Sequence, residues 1–429
     1  MGGVIVAGLR LCTALACSVC ALVLAPAAAP AAAVDWWGHT LEPGVTQSRI
    51  QVGGLSTRIL QAGPADSREA VVFVHGNPGS SLDWTHLVSV AGRYNRAIGL
   101  DMPGFGRADK PPPDKFEYTS DTEADFLGRM LTQLGIDKVH LVLHDFGGPF
   151  GLQWAIRHPD ALKSIVLIDT GVFINYYGHG LALVWHTPGV GDVAMETQTK
   201  PTFTAVVQSG NPRLLPQDFV DRMWDEFDLA TRKAAAKLYQ SSNNPDKQGR
   251  EQAAILRRRK RPALVIWGEF DQYIPLYVAY EQEQAFPGAQ VHPLDSGHWP
   301  FVDNVDKVDA LVAPFWAKAV PRFVPGAAVK RTLRVKRLQR LRGARVTRRR
   351  AIRVRVCVKG GRVDGVRVRL YRRQGGRRRL AGSSGRARSV VRCRRVGVRL
   401  KQRLRHGARY RLVARGSGVA PAKRAFRVR

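Results

Sequence analysis

The chain has 429 residues, with 67 Lys or Arg against 34 Asp or Glu, a formal net charge of +33, and 45% apolar residues. That length exceeds a single ordinary domain, and the charge is segmental. Residues 321–429 hold 39 Lys or Arg and one acid, Asp364, a net +38 that leaves −5 for the rest of the +33 chain. A uniformly basic molecule is thereby excluded, and two domains are expected.

Residues 1–33 read as a secretory signal: one Arg, the apolar stretch LCTALACSVCALVLA, and an Ala/Pro tail with cleavage expected between Ala27 and Ala33. An uncleaved anchor is the alternative, although the apolar run falls short of the roughly 20 residues a membrane span needs. Cys12, Cys17 and Cys20 lie in this segment. The remaining pair, Cys357 and Cys393, suits a disulfide in an exported chain, or two buried free thiols.

The run VVFV at 71–74 predicts a buried strand that ends in His75, Gly76, Asn77 and Pro78. VHLVL at 139–143 predicts a second such strand, and the residues from Gly147 on predict a helix. Asp145 sits on the sharp turn between them, where a side chain stands clear at the carboxyl end of a sheet. An Asp there can simply cap the helix. It can also be a nucleophile, with the backbone amides of Asn77 and Phe146 as an oxyanion hole. SIVLID predicts a further strand that ends in Asp169, followed by a cap over approximately 172–258. ALVIW leads to Asp271, and AQVHPL leads to His298. Nucleophile, acid and histidine, in that order at the ends of successive strands, mark an α/β-hydrolase fold.

HGNP, HDFGG, GEFD and SGHWPF resemble the α/β hydrolases with an aspartate nucleophile, namely epoxide hydrolases and haloalkane dehalogenases, over about residues 35–318. The resemblance implies a mostly parallel sheet with helices on both faces and a helical cap, acting on a small apolar organic substrate and water without cofactor or metal. It also implies a two-step reaction. The Asp145 carboxylate attacks a substrate carbon to form an alkyl ester, and His298, oriented by Asp271, activates the water that cleaves it. Asp169 occupies the place of the acid in one branch of the dehalogenases and is the alternative to Asp271. A carboxylate suits displacement at an sp3 carbon because it is already ionised at pH 7, whereas attack on an acyl carbonyl would give an anhydride.

The leaving group is less sharply specified. Asn77 matches the residue that in dehalogenases donates to halide, but Phe146 stands where those enzymes carry a Trp and has no donor. Epoxide hydrolases use cap tyrosines to protonate the opening ring oxygen. Tyr239 is placed like one of them; Tyr176 and Tyr177 fall earlier in the cap than the family's partner tyrosine. These features favour an epoxide hydrolase-like activity, with haloalkane dehalogenase-like hydrolysis as the alternative.

Residues 319–350 read as a basic linker or a first strand. In 351–429, runs such as AIRVRVCVKG and RYRLVARG alternate Val or Leu with Arg, the pattern of half-buried antiparallel strands. A β-sandwich resembling immunoglobulin-like modules is expected, with any disulfide near its surface. Its charge suits retention on an anionic cell-envelope surface. Nucleic acid is disfavoured by the export signal and by the lack of a recognition helix or stacking platform. An envelope-binding protein with a degenerate hydrolase domain is the reading of a different class, and the intact Asp145, Asp271 and His298 speak against it.

Overall fold

The structure, a computed structural model, describes residues 41–322 and, beyond them, 332–337, 351–359, 363–364, 366–374, 377–384, 389–390, 393–401, 404, 408–416 and 419–427. The expected signal, 1–33, lies outside the described residues.

Eight strands build the core sheet: β1 (Thr46–Val52), β2 (Leu55–Ala62), β3 (Glu69–Val74), β4 (Arg96–Leu100), β5 (Lys138–His144), β6 (Leu162–Ile168), β7 (Ala263–Gly268) and β8 (Gln290–Leu294). Their spatial order is β1-β2-β4-β3-β5-β6-β7-β8. β1, β2 and β4 pair antiparallel, and every other neighbour is parallel. The central strands are apolar throughout because helices cover both faces; Val71 to Val74 and Leu141 to Leu143 are fully buried.

Between the strands run α1 (Thr85–Gly92), α2 (Ser120–Gln133) and α3 (Gly147–Arg157). Six helices then separate β6 from β7: α4 (Gly180–His186), α5 (Val190–Glu196), α6 (Lys200–Ser209), α7 (Gln217–Glu226), α8 (Leu229–Ser241) and α9 (Pro245–Leu256). They form the cap. Helices α10 (Tyr277–Glu281), α11 (Pro300–Asp303) and α12 (Val305–Ala319) complete the unit.

A buried charge network fastens cap to core. Arg58 on β2 meets Asp101 at 3.0 Å and Glu226 of α7 at 2.8 Å, while Arg222 of α7 meets Asp83 at 2.7 Å. Such groups are tolerated inside a protein only when paired.

The C-terminal part is all-β. It comprises β9 (Thr332–Arg337), β10 (Ala351–Lys359), β11 (Val363–Asp364), β12 (Arg367–Gln374), β13 (Arg377–Ser383), β14 (Ser389–Val390), β15 (Cys393–Leu400), β16 (Arg409–Gly416) and β17 (Val419–Arg427). β11 and β14 form a two-stranded ribbon, and the others form one antiparallel sheet in the order β17-β16-β12-β13-β15-β10-β9. The expected all-β module is thus an antiparallel sheet, and its outermost strands β9 and β17 approach each other. Alternation settles which face is apolar, with Val354 and Val356 buried and Arg355 exposed, but it does not settle strand order. Part of the expected 319–350 linker is the edge strand β9. Cys357 is disulfide-bonded and half-buried, and Cys393 is its direct neighbour across the β10–β15 ladder.

Candidate active site

The sheet order reverses at β3 and β5: the chain leaves β3 toward β4 and returns to the other side of β3 with β5. The carboxyl ends flanking such a switch point open a crevice. His75 to Pro78 follow β3, and Asp145 follows β5, so both motifs meet there.

Asp145 has φ +47°, a left-handed conformation that the sharp turn into α3 imposes on it. Its carboxylate packs against Gly76, where a Cβ would stand 2.3 Å from Oδ1. A Cβ on Gly147 would stand 2.2 Å from the Val74 carbonyl, so neither glycine can be larger. The backbone N–H of Asn77 donates to Asp145 Oδ1 at 2.7 Å. Phe146 opens α3, in the turn whose amides lack intrahelical partners. The other carboxylate oxygen, Oδ2, lies 3.7 Å from His298 Nε2.

Behind His298 the second ring nitrogen is fixed. Nδ1 bonds Asp271 Oδ2 at 2.8 Å, while Asp271 Oδ1 accepts from the N–H groups of Tyr273 and Ile274 at 2.8 and 3.1 Å. Asp169, also left-handed at φ +46°, takes the N–H of Gly268 on Oδ1 at 2.8 Å. Oxygens of Asp169 and Asp271 and a nitrogen of His298 converge within 4.8 Å, but the His298 hydrogen bond goes to Asp271.

The charges are mutually dependent. Burial pushes Asp145 up, but the hydrogen bond and charge of His298, helped by His144 and the Asn77 amide, outweigh it and hold the carboxyl below its ordinary value. Burial opposes a charge on His298, yet Asp271 and Asp145 raise it well above an ordinary imidazole. Asp169 is driven well above the carboxylate range, by burial first and then by Asp271. It is therefore a neutral acid beside Asp271.

Two spaces meet over Asp145. The inner pocket is lined by Asn77, Trp185, Phe203, Tyr273, His298 and Trp299 among others; the outer, about 390 Å³, is lined by Phe146, Tyr176, Tyr177 and Leu183 among others. Asp145, His179 and Tyr239 line both. Tyr239 is buried on α8, its ring edge-on to Phe146 at 5.0 Å. Burial and the charge of Asp145 keep its hydroxyl protonated, against a hydrogen bond from the Asn77 side chain. Tyr176 donates to the Tyr273 carbonyl at 2.9 Å and Tyr273 to the Val206 carbonyl at 2.6 Å, so both protons are committed to backbone. Tyr177 is 73% exposed.

A family model described as the alpha/beta hydrolase fold matches residues 69–305, more than half of the chain. The chain belongs to the α/β hydrolase fold family.

Among curated relatives of this α/β hydrolase, a cis-3-alkyl-4-alkyloxetan-2-one decarboxylase from Shewanella oneidensis is 27% identical over 264 residues, 56% of this chain and 79% of that protein. The protein of the same name from Xanthomonas campestris is 38% identical over 135 residues, 30% of this chain and 45% of its own length. Among solved structures, a haloalkane dehalogenase DbeA variant from Bradyrhizobium elkanii superposes with TM-score 0.56 at 20% identity, covering 64% of this chain and 97% of that one. The epoxide hydrolase CorEH superposes with TM-score 0.55 at 17% identity, covering 64% and 99%. At these identities the structures speak for the fold alone.

Sequence reasoning missed several residues of this α/β hydrolase site. Tyr273 lies two positions after Asp271, and its ring stands edge-on to His298 at 5.0 Å. His144 precedes Asp145 and contacts the His298 carbonyl at 2.8 Å through Nε2, and burial lowers it to about 3. Trp185 and His179 belong to cap segments whose position over the core no local pattern specifies. Trp299, directly after His298, could have been flagged from its neighbour.

Proposed function

We propose that the chain is a hydrolase that opens a strained oxygen ring through an alkyl ester on Asp145, in the manner of an epoxide hydrolase. The observation that carries this reading is the division of labour between the two oxygens of Asp145: Oδ1 is tied to the Asn77 amide, while Oδ2 lies beside His298. Such a carboxylate is ionised, oriented and ready for attack at an sp3 carbon.

In the first step Oδ2 forms a bond to a ring carbon, the C–O bond breaks, and its electron pair goes to the oxygen, which takes the proton of Tyr239. Ester formation removes the charge of Asp145. One of the two acids that hold a proton on His298 is then gone, and that proton is released to return Tyr239 to its neutral form by way of solvent. His298, still bonded to Asp271, now takes a proton from water. The hydroxide formed adds to the Asp145 carboxyl carbon, the oxyanion forms at the Asn77 amide, and collapse releases a diol and the free carboxylate.

An oxygen leaving group is favoured over halide because Phe146 offers no donor, while Tyr239 is buried, lines both spaces over Asp145 and bonds no backbone carbonyl among the described residues. The relatives named for oxetan-2-ones also act on a strained oxygen ring, as their name states. Haloalkane hydrolysis is the second reading, supported by Asn77 at the nucleophile. Single turnover of an epoxide in 18O-water tests the mechanism. The first diol should carry unlabelled oxygen taken from Asp145, and direct labelling of that diol would mean that water attacks the ring itself.

In the same proposal the chain is exported, and its +38 C-terminal segment holds it on an anionic cell-envelope surface. Release from isolated envelopes by moderate salt, and mature protein beginning after Ala27 to Ala33, are the expected observations.

A further inference from the structure

We propose that an apolar face of the cap, at the mouth of the outer space, docks on a phospholipid bilayer with anionic headgroups, from which a long-chain substrate enters. The proposal deepens the reading of an exported chain held on an anionic envelope surface. Its substrate clause rests on Asp145 as the nucleophile.

The face runs across two cap helices. Leu181, Leu183 and Val184 of α4 and Val190 and Val193 of α5 are exposed, Leu183 and Val193 by 60% and 63%. The helices meet closely, since a Cβ on Gly191 would stand 2.1 Å from the Trp185 carbonyl. From Thr170 to Gly191 the chain carries no Asp, Glu, Lys or Arg. Tyr177, Tyr277 and Tyr280 extend the face toward α10; all three are exposed, and Tyr277 donates to the Asn175 carbonyl at 2.9 Å. Tyrosine, apolar in body and polar at its tip, is a residue that suits the level of lipid headgroups. Tyr177 and Leu183 also line the outer space, so the face borders the way in to Asp145.

Charge decides what covers it. Contiguous exposed apolar surface marks a protein or a membrane partner. The same chain carries a net +38 at residues 321–429. A surface that attracts that segment is anionic, and among anionic surfaces a polysaccharide or wall polymer has no apolar interior to receive Val and Leu. A bilayer has both. Stable attachment to a membrane takes two signals, such as one apolar and one basic, and this chain supplies each. A ring carried on a long alkyl chain partitions into the bilayer and would pass Tyr177 and Leu183 to reach Asp145.

The test uses the full chain and vesicles of equal parts phosphatidylglycerol and phosphatidylcholine. Val190→Ser/Val193→Ser removes exposed apolar surface from α5 without adding charge, and neither residue lines the inner pocket or the outer space. Vesicle affinity should fall about tenfold, by the same factor at low and high salt, because an apolar contact is not screened. Turnover of a long-chain epoxide dissolved in the vesicles should fall with it at limiting lipid, while turnover of a short epoxide in water is unchanged. Unchanged vesicle affinity in the variant, no binding of the parent to these vesicles, or a parent dimer in light scattering that the variant dissociates overturns the proposal. If the parent turns over neither epoxide, the nucleophile reading and the substrate clause fail together, and the vesicle titration alone decides the docking face.

Discussion

Asn77 and Asp145, 68 positions apart in the chain, are joined by a 2.7 Å hydrogen bond from the backbone N–H of the first to Oδ1 of the second. β3 and β5 are neighbours in the sheet, so the turns that follow them face each other, and the bond orients the carboxylate before any substrate arrives. In the proposed mechanism the same amide would meet the oxyanion of ester hydrolysis, so that Asn77 would act through its backbone as well as through its side chain.

Asp271 is predicted to matter in the second step far more than in the first. With Asn in its place, His298 loses both its fixed orientation and the charge that favours its imidazolium. Ester hydrolysis should fall by about 10³- to 10⁴-fold, while ester formation falls much less. Rapid-quench mass spectrometry should show the Asp271→Asn enzyme piling up as adduct.

Asp169 should behave in the opposite way. It is a protonated acid next to Asp271, and Asn reproduces its neutral shape and donates where its proton would. Asp169→Asn is expected to keep kcat within about threefold, because a single neutral isostere replaces another. A hundredfold loss would make Asp169 the working acid.

The strand-end motifs are readable from sequence because short apolar runs with a polar residue at the end give both the strand and the place where chemistry stands. Asp145, Asp271 and His298 are found in this way, and the structure brings them together. The cap is different. Tyr239 is visible on an amphipathic helix, but whether Tyr176 or Tyr273 keeps a free proton depends on carbonyls 97 and 67 residues away. No periodicity encodes that. The tail shows the same limit, since alternating Val and Arg define the two faces of a strand without naming its neighbours.

Glu123 gives a pH-dependent prediction. It lies fully buried on α2 with both carboxylate oxygens unbonded, and burial raises it well above an ordinary Glu. A folded-state value above the unfolded one means that the native state binds the extra proton. Stability is therefore complete below about pH 4.3 and declines as pH rises from there toward the folded value. Glu123→Gln should raise the melting temperature at pH 8, by the equivalent of about 1–3 kcal/mol, and change little near pH 4. Thermal melts at the two pH values check it.

Arg222 links the cap to the core through Asp83 and Glu226. Arg222→Leu leaves Asp83 buried without its ion-pair partner, while Glu226 keeps Arg58, and is expected to cost about 3–5 kcal/mol. Urea unfolding should shift accordingly, and limited proteolysis should first cut within 180–256.

In the proposed mechanism the carboxylate of Asp145 becomes an alkyl ester. That step is tested most directly by the intact mass of the His298→Gln protein after incubation with a panel of epoxides and haloalkanes. A single added substrate mass is expected, located on Asp145 by peptide mapping and absent from His298→Gln/Asp145→Asn. No adduct with any member, together with unchanged turnover by Asp145→Asn alone, would contradict it.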